Sequence, residues 1–160
     1  MVKDMAVEAF GFDEVLRKLG SSDLASEQSA PDTRILRELQ VIAEEACNMA
    51  RDTYPSRASG GYDDHTRNLR GSIGFRINFR GEEVVRGGFD GRGSEIGENA
   101  ANSALSKTII DNSTWEIIIV AGMEYARYVE AKGYNVITFV QNYLDEQISK
   151  LKQDIKNGNI

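Results

Sequence analysis

The clearest pattern in the chain begins near Pro31. Ile35, Leu39, Ile42, Ala46 and Met49 recur at alternating spacings of four and three, the apolar stripe of an amphipathic helix. Pro31 suits a first helical position and Pro55 disfavours helix at Tyr54, so the spacing predicts a helix over about 31–53. The period then changes. Leu69, Ile73, Phe75, Ile77 and Phe79 alternate with Arg70, Ser72, Gly74, Arg76 and Asn78, apart from a skip at Gly71. Alternation of this kind predicts a strand with one face buried and the other wet. Arg80-Gly81-Glu82 turns the chain and Val84 to Phe89 returns it, which makes a hairpin. In "STWEIIIVA" the residues Ile117, Ile118, Ile119 and Val120 are all β-branched, favouring a strand over a helix. Its unbroken hydrophobicity predicts a central strand covered on both faces. Val140, Leu144, Ile148, Leu151 and Ile155 make a last helical stripe ending before Gly158. "TFVQ" ahead of it reads as a capping box, with Thr138 and Gln141 satisfying each other's amides.

Weaker signals fill the gaps. "MAVEAF" (5–10) suits a short edge strand, and Asp13 can cap a short helix through Leu19 that Gly20 closes. "SSDLASEQSA" (21–30) reads as a polar linker. Five glycines in "GGFDGRGSEIGEN" predict a mobile loop over 87–99, and "AANSALSKTII" (100–110) a moderate helix. The whole is an α+β chain: a small antiparallel sheet packed by a long helix in the N-terminal half and a C-terminal helix. At 160 residues one domain is expected, divided into 1–20, a linker over 21–30 and a core over 31–157.

Charge and composition narrow the class. The formal net charge is −6, with bases scattered among acids, which disfavours a dedicated nucleic-acid binder. The single cysteine, Cys47, cannot form an internal disulfide; it excludes a disulfide scaffold and points to a reducing compartment. The longest apolar run, Ile117 to Ala121, is far too short to span a bilayer, so no membrane role is expected. The first residues carry acids within their apolar stretch and do not read as a signal peptide.

Candidate chemistry is sparse. Asp63, Asp64 and His65 are adjacent, and adjacent loop residues rarely converge on one ion; a zinc site would want further Cys or His. Cys47 neighbours the core stripe, where a thiolate is costly, so pairing with His65 as a nucleophile is disfavoured. "GGFDGRG" lacks the Lys-Ser/Thr ending of a phosphate-binding loop. Glu44-Glu45 and Glu82-Glu83 are consecutive, and neighbours on a helix or strand diverge. The expectation is a protein without catalytic residues, metal or cofactor, and not an enzyme.

One stretch stands apart. "GMEYARYVEAKGYNV" (122–136) gathers Tyr125, Tyr128 and Tyr134 after the most hydrophobic run. A helical turn would put Tyr125 and Tyr128 on one face. Plain core packing explains that arrangement, and so does a subunit contact, where tyrosine supplies area and a polar tip. The stretch also pairs with an earlier one. Thr66-Arg67-Asn68-Leu69-Arg70-Gly71-Ser72-Ile73, followed by Tyr125-Ala126-Arg127-Tyr128-Val129-Glu130-Ala131-Lys132-Gly133 and an amphipathic helix, resembles the tailed-phage tail-completion or head–tail joining family of the Hong Kong-phage type. That family is marked by "T-G-N-L-R-x-S-I" and "Y-A-x-Y-V-E-x-G". Here Arg67 stands where glycine is usual, and one extra residue precedes Gly133. The resemblance spans 31–157. It implies a structural virion protein that forms a ring, usually taken as a hexamer, between tail tube and head connector. DNA would pass through such a ring without specific binding, and assembly would occur in the bacterial host cytoplasm. Tyr125, Arg127, Tyr128, Glu130 and Tyr134 are then the candidate subunit-interface residues. The competing expectation is a cytoplasmic protein–protein interaction or regulatory module.

Overall fold

The computed structural model describes residues 13–19, 30–108 and 114–160. The strand expected over 5–10, and all of the 21–30 linker except Ala30, lie outside the described residues. The described chain is α+β, as the periodicities predict. Its sheet contains β1 (Asp13–Leu19), β2 (Ile73–Phe79), β3 (Glu82–Gly87) and β4 (Trp115–Ala121) in the order β1-β4-β2-β3, with every neighbouring pair antiparallel. The helices are α1 (Thr33–Asp52), the single turn α2 (Asn68–Gly71), α3 (Glu95–Lys107), the short α4 (Ala126–Ala131) and α5 (Gln141–Lys156). No helix among the described residues is long and apolar enough to cross a membrane.

The pleat divides the sheet between two layers. Ile73, Phe75, Ile77 and Phe79 of β2, with Trp115, Ile117 and Ile119 of β4, join the main core beneath α1 and α5. From the helices come Ile35, Leu39, Ile42 and Ala46 of α1, and Leu144, Ile148 and Leu151 of α5. Both predicted stripes therefore bury their apolar faces. On the opposite face, Ile118 and Val120 pack with Ala101, Ala104 and Leu105 of α3. The central strand is covered twice, which is why its hydrophobicity has no gap.

Several expectations are corrected. Residues 13–19 form a strand, not a capped helix. β4 is buried on both faces, and its outer edge would leave polar backbone groups unpaired without a neighbour. β1 supplies that neighbour, in register from Asp13 opposite Ala121 to Leu19 opposite Trp115. The polar face of β2 is not wet either, because α3 lies over it. All of β2 is buried, including Arg76 and Asn78. Arg76 donates to the carbonyls of Leu105 and Thr108 at the end of α3, and Asn78 Nδ2 donates to Glu116 Oε1 at 2.8 Å. A guanidinium under a helix C-terminus satisfies orphan carbonyls and complements the helix dipole. Alternation cannot separate a polar residue facing water from one facing a helix end.

The 87–99 segment differs as well. Gly87 ends β3, and residues 95–99 belong to α3, whose cap is Ser94 with its Oγ accepting from the Gly97 amide at 3.0 Å. Glycine serves close approach here. A Cβ at Gly97 would lie 2.5 Å from the Asn68 carbonyl oxygen, so α3 can seat on α2 only without a side chain there. α1 starts two residues later than predicted: Asp32, not Pro31, sets its start by accepting from the Arg34 amide at 2.8 Å. The capping box at 138–141 is not formed. Thr138–Val140 make a 3₁₀ turn, and α5 opens at Gln141 without a side-chain cap hydrogen bond. Glu130 Oε1 takes over instead, accepting the amides of Ile137 at 3.1 Å and Thr138 at 2.8 Å.

Candidate interaction surface at the tyrosine segment

The two stretches that carry the family resemblance meet at the end of β4. Ser72 closes the α2 turn by donating from Oγ to the Leu69 carbonyl at 2.7 Å. The same Oγ accepts from the Met123 amide at 3.2 Å, and the Ser72 carbonyl accepts from Gly122 at 2.9 Å. The chain leaving β4 is thereby fixed to the start of β2. Arg70 anchors the turn from its other side. Its guanidinium donates to the carbonyls of Arg51 (3.0 Å), Tyr54 (3.0 Å) and Tyr62 (2.9 Å) and lies 4.3 Å from the centre of the Tyr62 ring. The first motif is thus a staple that ties the end of α1 to the sheet.

From this anchor the tyrosine segment projects outward. Tyr125 holds the N-cap position of α4 and is 40% exposed, and Tyr128 is 61% exposed. They are not core residues. Lys132 places its ammonium 4.3 Å from the Tyr128 ring centre, and Arg57 lies 5.3 Å from that of the half-buried Tyr134. Burial, with the Asp64 carboxylate nearby, raises the Tyr125 phenol above its ordinary pKa, although a hydrogen bond with Thr66 acts the other way. Arg127 is exposed beside Tyr128. Glu130, also a candidate interface residue, sits deeper than Tyr125, Arg127 and Tyr128. It is half-buried and its carboxylate holds the 137–138 backbone, so it shapes the segment from within.

A groove of ≈ 470 Å³ runs along these residues, lined by Tyr62, Tyr125, Tyr128, Tyr134 and Lys132 among others. Tyr125 also borders a second hollow of ≈ 310 Å³, with Ile96 and Met123 on its walls. Ile96 is 63% exposed. Ile96, Tyr125 and Tyr128 therefore share one continuous flank at the end of the sheet. Sequence reasoning missed Ile96, a lone apolar residue inside a glycine-rich run, and Tyr62, whose neighbours are all polar or glycine.

Other places in the described chain offer no comparable chemistry. No group of three His, Cys, Asp or Glu among the described residues could hold a metal ion. A charged hollow of ≈ 380 Å³ is lined by Arg51, Arg67, Arg70 and Arg92 with Asp52, Asp64 and Asp90, and Arg51 pairs with Asp90 at 3.3 Å. Arg92 binds both oxygens of Asp52 at 3.0 and 2.9 Å and Asp90 at 2.6 Å. Burial acts to raise Asp90, but hydrogen bonds from Arg92 and the charge of Arg51 outweigh it and hold the carboxyl below its usual range. Cys47 is fully buried and its thiol is pushed up to about 12 by desolvation, against the opposing charge of Arg51. His65 is exposed. An alkylating reagent at pH 8 is accordingly expected to label Cys47 only after unfolding. Rapid labelling of the native protein, followed by mass spectrometry, would refute that placement. The raised thiol pKa stabilises the fold fully below about pH 9, and that contribution is lost progressively as the pH rises towards 12.

Comparison with protein-family models, curated proteins and solved structures gives no match. The reading of this surface therefore rests on its own geometry and on the two motifs.

Proposed function

We propose that the protein is a structural component of a tailed-phage or prophage virion that forms a ring at the head–tail junction and completes or joins the tail. The observation that supports this most is the exposed flank of Ile96, Tyr125 and Tyr128, presented where the two family-like motifs meet. Large apolar and aromatic side chains left in water at a rigid site suit a subunit contact. Its partners are further copies of itself, the tail tube and the head connector. A net charge of −6 disfavours phosphate binding, which suits a ring through which DNA slides. The protein acts by shape and contact, without cofactor or catalysis.

The test is assembly. Concentrated protein is expected to form rings by electron microscopy and to sediment as a discrete oligomer. Changing Arg127 and Tyr128 together to alanine removes an exposed aromatic and an exposed cation. Surface substitutions of this kind usually shift stability by no more than about 0.5 kcal/mol. The double variant should stay folded by circular dichroism yet lose ring formation and head–tail joining. Normal joining by the double variant, or its unfolding, would overturn the assignment of this flank.

A further inference from the structure

We infer that α3 is a separable clasp on the tyrosine flank: seated, it completes the flank, and unseated, it disables assembly while the main core stays folded. The inference rests on the ring reading. No α3 side chain among the described residues joins the main core beneath α1 and α5. The layer under α3 is small, with Ala101, Ala104, Leu105, Ile118 and Val120 buried and Phe89 half-buried. The rest of that layer is polar: Arg76, Asn78, Thr108 and Glu116 are all buried. Asn78 Oδ1 has no hydrogen-bond partner. Lifting α3 returns these groups to water, and their regained hydration offsets part of the lost contact. Lifting α1 or α5 would bare mostly apolar surface instead. α3 is therefore the layer that opens most readily.

Close backbone contact holds α3, and the flank shares that contact. Besides the Gly97 seat on α2, a Cβ at Gly122 would lie 2.5 Å from the carbonyl carbon and oxygen of Ala100. The chain leaving β4 therefore runs directly against α3. Met123 and Tyr125 follow at once and line the second hollow together with Ile96. Ile96, 63% exposed, is carried by α3 itself. Seating thus sets the spacing between Ile96 and Tyr125, and an unseated α3 takes Ile96 away from the tyrosines. Gly91, at φ 77° with open space around it, provides a pivot ahead of the helix. Half-buried Arg86 of β3 latches the helix, donating to the Asn102 carbonyl at 3.0 Å and to Ser106 Oγ at 3.1 Å.

Hydrogen exchange in low urea, read by mass spectrometry, tests separability on the unsubstituted full chain. Amides of α3 should exchange through a local opening, with protection at least about tenfold lower than in α1 and α5 and a shallower urea dependence. Exchange of all three helices through one shared opening would overturn the inference. Gly97→Ala tests the link to assembly, because its Cβ meets the Asn68 carbonyl oxygen while Ile96, Tyr125 and Tyr128 stay unchanged. The variant should lose protection in α3 and keep it in α1 and α5. It should also need at least about tenfold more protein for half-assembly by sedimentation, since apparent affinity falls with the competent fraction. Leu105→Ala, nine residues from Ile96 and roughly 13 Å along the helix, is run beside it and should loosen α3 alone. Unchanged half-assembly by a variant whose α3 has lost protection would overturn the inference. So would α3 protection unaltered in both variants, or collapse of α1 and α5 along with α3. Unsubstituted protein that sediments as a monomer at every concentration would remove the ring reading itself, and the clasp's role in assembly with it.

Discussion

Ile148→Ala is expected to destabilise the protein by about 2–5 kcal/mol, a large part of a typical domain's stability. The expectation follows from position. Ile148 lies at the middle of the α5 stripe between Leu144 and Leu151, and all three are buried in the core shared by α1, β2 and β4. Ile148 itself is only 5% exposed. Truncation removes the transfer free energy of three carbons and leaves a cavity in the close-packed core. Solvent-side positions of the same helix give the control. Lys150 pairs with Glu146 at 3.0 Å with both side chains mostly in water, so Lys150→Ala should change stability by less than about 0.5 kcal/mol. Urea unfolding of the two variants separates the cases. A small effect from Ile148→Ala would mean that α5 is a free arm and not part of the core.

Helix packing of this kind was legible because the stripes at Ile35–Met49 and Leu144–Leu151 depend only on local spacing. The same holds for β4, where four consecutive β-branched residues leave little choice of conformation. Pairings across the chain were not legible. Asp13 followed by Gly20 resembles a capped helix locally, yet the segment is claimed by the open edge of a strand about a hundred positions away. Arg76 and Asn78 look like solvent-facing residues until the end of α3 is placed above them. The glycines of 87–99 signalled backbone freedom, whereas Gly97 is needed for the close seating of α3 on α2. At the site, Tyr125 and Tyr128 could have been core or surface on spacing alone. Burial separates those cases, and it places Glu130 on the inside of the same segment.

Arg70→Ala is expected to cost about 2–4 kcal/mol, because hydrogen bonds to a charged group contribute more than neutral ones and their loss strands acceptors. Arg70 forks across three carbonyls, two of them from the end of α1 and the chain just beyond it, and stacks on Tyr62. Water can reach part of this half-buried site, which keeps the cost below that of a fully buried charge network. Lysine at the same position should recover less than half of the loss, since a single ammonium cannot reproduce the planar fork or the stacking. The consequence for assembly is what matters. If the Asn68–Ile73 motif is a staple that holds the tyrosine flank in place, Arg70→Ala should lower the midpoint of urea unfolding and still assemble well below that midpoint. The Arg127 and Tyr128 double variant should do the reverse, keeping its midpoint and losing assembly. Loss of assembly by Arg70→Ala with an unchanged midpoint would put Arg70 in the subunit contact itself, and the staple reading of the first motif would fail.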